Sequence, residues 1–430
     1  MSRILIQGGH VLDPARSQDG LADLYIDDGF VVAATEGFQA DLLIDATGLL
    51  VIPGLVDIRA RLREPGPAHQ ATIETETRAA VAGGITTLCC PPDTDPVIES
   101  PAIAQMIQAR AWQTGYAFIH PLGALTRGLR GEQLTDMAAL DEAGCVGFSN
   151  GLEPIRDTQV LRRAFEYAAT FGLTVFLHPE DSWLRGRGVV HEGLVAHRLG
   201  LPGIPTAAET VAVARDLALI EQTGVRAHFC QISSARALEQ IAEARTRGLL
   251  VSADTAVHYL HLTEADLGLF NTEAHVRPPL RTLDDRDALR AGLRAGTLTA
   301  ICSDHQPHAA DAKCVPFTQA EPGISGLETL LPLMLRLVDE GVLTRSQAIA
   351  AVTSQAAEVL GIEAGSLAPG MTADVVLLDP GAHWTLTAAA LKSCGHNTPF
   401  LGQTFKGQVV RTLVGGETVF LAARPPARDH

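Results

Sequence analysis

Arg59 and Arg61 stand two residues apart at the end of the apolar run Val51-Ile-Pro-Gly-Leu-Val-Asp57-Ile. On a strand that spacing puts both side chains on one face, the layout in which a pair of imidazoles chelates a metal. Guanidinium groups reverse the chemistry. Each carries five donors and no lone pair for an ion, and each stays charged. Neither position can ligate zinc. Arg63 follows in Leu62-Arg-Glu-Pro-Gly66, where a structural ion pair with Glu64 or a neighbour is the plain reading.

Eight strand-like runs can position such groups: 55–61, 85–90, 117–120, 145–148, 173–178, 225–231, 249–254 and 298–304. Helix-like segments alternate with them, the pattern of a parallel α/β fold. The count points to a (β/α)8 TIM-type barrel, with its functional groups at the C-terminal strand ends. The two ends of the chain read differently, as short strands with turn signals such as Asp27-Asp-Gly29 and Gly415-Gly416. They predict a small discontinuous β-sandwich from 1–52 and 366–422, a barrel over 53–365, and a flexible tail at 423–430.

The 430 residues accommodate both parts, since a barrel takes about 250. With 33 basic against 49 acidic residues the net charge is −16, the wrong sign for a nucleic-acid footprint. No apolar run reaches the ~18 residues of a membrane span, and the start, Met-Ser-Arg-Ile-Leu-Ile-Gln, lacks the pattern of a signal peptide. A cytoplasmic location is expected. Seven cysteines with no Cys-x-x-Cys pair suit reduced, buried thiols.

Several motifs occur in the order found in one family: Pro53-Gly-Leu-Val-Asp57, Gly83-Gly-Ile-Thr-Thr-Leu88, Cys302-Ser-Asp-His-Gln-Pro-His308, Gly323-Ile-Ser-Gly-Leu-Glu328 and Asn397-Thr-Pro-Phe-Leu-Gly402. Over nearly its whole length the chain resembles the dihydroorotase family of the amidohydrolase superfamily. That resemblance implies a binuclear zinc site at 59, 61, 150, 178, 231 and 304, with the aspartate as general base. Here those positions hold Arg59, Arg61, Asn150, His178, Gln231 and Asp304, so two of six retain a ligand. His228 lies three residues before Gln231, on the opposite face of the strand, and reads as an ordinary imidazole rather than a substitute ligand. The family's substrate-carboxylate positions correspond to Arg63, Asp93 and His308, with Arg277 in an altered loop; Asp93 would repel an anionic substrate.

A buried Asp304 without metal needs a partner, and Arg59 or Arg61 is the expected one. The alternative is that both arginines face solvent. His178 is expected to be hydrogen-bonded rather than metallated. The resemblance is nearest to the non-catalytic dihydroorotase-like chain that assembles with aspartate transcarbamoylase in some bacteria, through Glu76-Thr-Arg-Ala-Ala-Val-Ala-Gly-Gly84 and Leu88-Cys-Cys-Pro-Pro92, among others. It implies an inactive assembly subunit of pyrimidine biosynthesis, with no cofactor, bound to the transferase's catalytic chain as a homo-oligomer within a larger complex. Two readings stand beside it. One is a cyclic-amide hydrolase with a single weakly held zinc; the other is a binding module in which Arg59, Arg61, Arg63 and Arg277 converge on a small anion.

Overall fold

The computed structural model describes residues 3–34 and 37–423; the tail expected at 423–430 lies almost wholly outside them. Eight parallel strands form a barrel. Leu55–Asp57 pairs with Ile85–Cys90, which pairs with Phe118–Pro121. After Leu122 the third strand continues as Gly123–Ala124 and meets Phe148–Ser149, followed in order by Thr174–Leu177, Arg226–Phe229, Val251–Ala256 and Ala300–Cys302. Closure comes from a parallel bridge between Ala60 and His305, where the Arg61 amide donates to the His305 carbonyl at 2.9 Å. The strands are buried almost throughout, as parallel strands covered on both faces must be.

Each strand is followed by a barrel helix, and local chemistry explains where these start and stop. Thr158–Phe171 opens on Asp157, whose carboxylate accepts from the Gln159 and Val160 amides, and closes on Gly172 at φ 70°. Its buried residues are Leu161, Ala164, Phe165 and Ala168, a single stripe at helical spacing. Thr72 and Thr282 form capping boxes at two other helix starts.

Strands from both termini form one eight-stranded sheet, in which Leu50–Pro53 links the N-terminal strands to Val375–Thr385. The sheet curls over a core that includes Ile4, Ile26, Val51, Val375 and Leu413, and Phe30 bridges to Thr372. The layers expected of a sandwich are thus drawn from one continuous sheet. Gly54 is the step from this sheet into the barrel: its amide donates to Asp374, and a Cβ there would lie 2.1 Å from Thr86 Oγ1.

One part of the expected division differs. The segment between the strands Val375–Thr385 and Thr404–Val414 leaves the sheet and binds the barrel. Ser393 Oγ donates to Glu76, and Asn397 accepts from the His308 amide while donating to the Gln306 and Gly323 carbonyls. Its composition is loop-like; these hydrogen bonds, with others to Glu328 and the burial of Leu386, Leu391 and Phe400 in the main core, assign it to the barrel. Among the described residues no helix is long and apolar enough to cross a membrane.

Candidate functional site

The six expected ligand positions all fall at or just beyond C-terminal ends of barrel strands. Arg59 and Arg61 leave the first strand, buried to 2% and 5% exposure, and Asp304 leaves the eighth at 0%. The solvent-facing alternative for the arginines is therefore excluded. Asp304 Oδ1 lies 3.5 Å from Arg59 Nε and 3.6 Å from Arg61 Nη1. The expected pairing is present with both arginines, as charge contacts rather than hydrogen bonds. Burial pushes the Asp304 carboxyl above its ordinary range, and Arg59, Arg61 and the Gln306 amide pull it only part of the way back. Gln306 Nε2 donates to both carboxylate oxygens, at 3.2 and 3.1 Å.

Asp93 is the second counter-charge. Its carboxylate accepts from Arg61 Nε at 2.9 Å and lies 2.7 Å from Nη2. Burial works against its ionisation, but Arg61 and Arg59 overcome this and hold the pKa below the usual carboxylate value. At this position the acid neutralises Arg61, which a view of Asp93 as a repulsive substrate contact did not include.

Asn150 is engaged on every side. It accepts from Thr126 Oγ1 at 2.7 Å and donates to the Leu129 and Glu153 carbonyls at 3.0 and 2.8 Å. It ties loops together at the fourth strand end. His178 is the opposite case: both ring nitrogens are buried and lack a partner at full hydrogen-bond geometry among the described residues, and the side chain of Gln231 is the one hydrogen-bonding neighbour, so the hydrogen bonding expected of the ring is present only weakly. Burial, then the charges of Arg277, Arg59 and Arg61, push its pKa well down, so the ring is a neutral imidazole. Gln231, fully buried, has that ring as the neighbour of its side-chain amide and no closer hydrogen-bond partner among the described residues.

Two of the six positions, and the substrate position Arg63, have unusual backbones. Arg63, Gln231 and Asp304 have φ of 61°, 56° and 45°, a region that side-chain-bearing residues seldom enter. At Gln231 the surroundings enforce it: its amide donates to Asp254 Oδ1 at 2.8 Å. The strand ends retain shapes suited to aiming a side chain inward.

Zinc takes three or four imidazole, thiolate or carboxylate donors. Arginine has no lone pair, and Asn150 has its amide committed elsewhere, so His178 and Asp304 are the two conventional donors among the six. The set does not fit a binuclear zinc centre. His228, Cys230 and Asp254 bring potential ligand atoms within 4.8 Å of one another, yet these are already spent. His228 Nε2 is 2.9 Å from Asp254, Nδ1 is 2.7 Å from Ser252 Oγ, and burial raises the Cys230 thiol far above its ordinary value. His228 is a satisfied core residue, as expected.

The relict substrate positions divide. Arg63 does not pair with Glu64, which binds Arg110 instead; its Nε donates to the Pro307 carbonyl at 3.0 Å and its Nη2 lies 3.4 Å from His308 Nε2. Burial and then Arg63 lower the His308 pKa to about 4. Arg277 does not join them as a free charge. It is locked to Glu180 (Nε to Oε2 3.0 Å), and donates to the Leu152 carbonyl. Sequence reasoning missed two supports of the site. Asp57 accepts from Ser303 through both amide and hydroxyl, and Glu76 pairs with His305 Nε2 at 2.8 Å. Both acids fall in motifs quoted for the resemblance, but their partners are far away in the chain.

A family model described as dihydro-orotase-like matches residues 48–237. The chain is 50% identical over 416 residues to a dihydroorotase-like protein of Pseudomonas aeruginosa, covering 96% of this chain and 98% of that one. It belongs to the dihydroorotase-like family. Identity to a dihydroorotase of Trichlorobacter lovleyi is 43% over 420 residues, covering 97% and 99% of the two chains. An L-hydantoinase (dihydropyrimidinase) from Arthrobacter aurescens has the same fold, with a TM-score of 0.87 at 24% identity over 97% of this chain and 96% of that one.

Proposed function

We propose that the chain is a non-catalytic member of the dihydroorotase-like family whose role in pyrimidine biosynthesis is assembly with aspartate transcarbamoylase. One observation carries the reading: the two positions that would chelate zinc from the first strand are buried guanidinium groups, each set against a carboxylate, Asp304 or Asp93. A hydrolase of this type needs a metal-activated water, and the donors for it are replaced at the ends of the first, fourth and sixth barrel strands. The scaffold around them is intact. A chain that keeps the barrel and the terminal sheet while losing its donor set is most simply explained by a function of its surface.

The test combines metal content with activity and assembly. The purified chain, dialysed against trace zinc, is expected to hold far less than one equivalent and to show no hydrolysis of dihydroorotate above a buffer blank. Co-expressed with aspartate transcarbamoylase, it is expected to elute as a stable complex with raised carbamoyl-transfer activity. A stoichiometric zinc with zinc-dependent hydrolysis, beside a transferase that is complete alone, overturns this reading in favour of the mononuclear hydrolase.

A further inference from the structure

Between the fifth barrel strand and the helix Ala207–Thr223, residues 182–206 leave the repeating pattern and stand at the mouth of the barrel. They form a unit of their own. Two short parallel strands, Val190–His191 and Gly203–Ile204, flank the helix Leu194–Leu199, and the Glu192 amide donates to the Ile204 carbonyl at 3.0 Å. Arg281 fastens this unit down. Its Nη1 lies 3.1 Å from His191 Nδ1 and donates to the Ile204 carbonyl, and its Nε donates to Ser233 Oγ. The Arg281 carbonyl in turn accepts from the Glu264 amide at 2.8 Å, which holds the loop bearing Leu269 and Phe270. The two loops also touch directly: a Cβ at Gly193 would lie 3.3 Å from Glu264 Oε2.

This fixed base presents large apolar side chains to water. Trp183 is 79% exposed, Leu194 87% and Leu269 91%, and Leu184 and Phe270 are exposed as well. Single exposed leucines are ordinary, but several on two loops tied by one arginine mark an interaction surface. Trp183 is held ready. The Asp181 carboxylate accepts from the Trp183 and Leu184 amides, both at 2.9 Å, and the Arg156 guanidinium carbon lies 5.3 Å from the centre of the Trp183 ring. Side chains ordered in advance lose little freedom on binding, and tryptophan and arginine are the residues in which interface energy concentrates. Charge gives the chemistry of the occupant. Residues 182–206 contain Arg185, Arg187 and Arg198 against Glu192 alone, in a chain of net charge −16. Arg185 is paired with Glu180, whereas Arg156, Arg187 and Arg198 are exposed. An acidic, apolar surface complements such a face. A folded partner suits it better than an anionic bilayer, which the rest of this acidic chain would repel.

We propose that residues 182–206, with Leu269 and Phe270, form the face on which the chain docks its assembly partner, through a patch of the partner that is apolar and acidic. The face rests on the reading that the chain assembles with aspartate transcarbamoylase, and it deepens that reading by placing the contact at the barrel mouth, with Trp183 and Leu194 as its apolar anchors and Arg156, Arg187 and Arg198 as its charged edge.

The full chain and the catalytic chain of aspartate transcarbamoylase are mixed, and the complex is followed by light scattering and titration calorimetry. Trp183→Ala combined with Leu194→Asp is expected to melt with the parent, since both side chains are exposed, and to weaken the complex roughly a hundredfold or more. Trp112→Ala removes an indole of similar exposure, 77%, from the helix Pro101–Thr114 and should leave the affinity unchanged. Arg187→Glu with Arg198→Glu should slow association and flatten its dependence on sodium chloride. A complex as tight with the Trp183→Ala, Leu194→Asp chain as with the parent overturns the face while the assembly reading stands. Absence of any complex with the parent chain removes that reading, and the face with it. Self-association of the chain that the same two substitutions abolish, with transferase binding intact, also overturns the proposal and assigns the face to a second copy.

Discussion

At the scale of single residues the site is an account of donors and charges. Restoring histidine at both first-strand positions, Arg59→His with Arg61→His, is expected to leave zinc binding poor, because Asn150 and Gln231 still offer no conventional donor and ligand count dominates affinity. Inductively coupled plasma analysis of the dialysed double variant reads this directly, and a full equivalent of zinc would contradict it. Asp57 gives a pH prediction. It is fully buried, and burial raises its pKa to about 7 in spite of hydrogen bonds from Ser303 and the Arg59 amide. A folded-state pKa above the unfolded one means that the native state holds the proton more tightly. The contribution is then fully present below the ordinary carboxylate range and lost as pH rises towards about 7. Asp57→Asn, which never ionises, is expected to melt with a shallower decline between those limits. Parallel melting curves for variant and parent across the window would refute the assignment.

At the scale of elements the barrel depends on how closely its first strand approaches its second. Gly54 has no room for a side chain: a methyl carbon there would meet three Thr86 side-chain atoms at 2.1, 2.6 and 2.8 Å. Gly54→Ala is expected to cost roughly 2 kcal/mol by overpacking, read as a lowered urea midpoint with an unchanged slope. Thr86→Ala in the same chain removes the obstructing atoms and should recover most of the loss, because residues in contact do not add independently. If the double variant is no more stable than Gly54→Ala alone, the contact is not the cause. Elements also explain where the site was harder to foresee. The loss of donors at Arg59 and Arg61 follows from residue type alone. The locking of Arg277 by Glu180 joins residues 97 apart in sequence, and the Thr126 hydrogen bond to Asn150 spans 24; no local pattern announces either pairing.

At the scale of the whole molecule the question is what surrounds a barrel without its metal donors. An obligate interface with aspartate transcarbamoylase would bury on the order of 2,000 Å² or more. Light scattering of the co-purified chains should then give one mass exceeding the sum of single copies. It should persist on dilution through the nanomolar range, as obligate assemblies with slow dissociation do. Two separate species at all concentrations would remove the assembly role.

The sequence by itself determined the barrel, the sheet made from both ends, and the inability of four strand-end positions to act as ordinary zinc ligands. Each of these depends on periodicity, on motif order or on the lone pairs a residue type possesses, and all are properties of the chain read locally. Tertiary structure alone decided which charges were neutralised. Asp93 became the counter-ion of Arg61, Arg277 was taken by Glu180, and the segment around Asn397 joined the barrel. It also left His178 with only the Gln231 side chain beside it, a weaker hydrogen bond than the one expected. Ion pairing and hydrogen-bond satisfaction depend on distances of a few ångströms between residues far apart in the chain, and those distances exist only once the strands have closed.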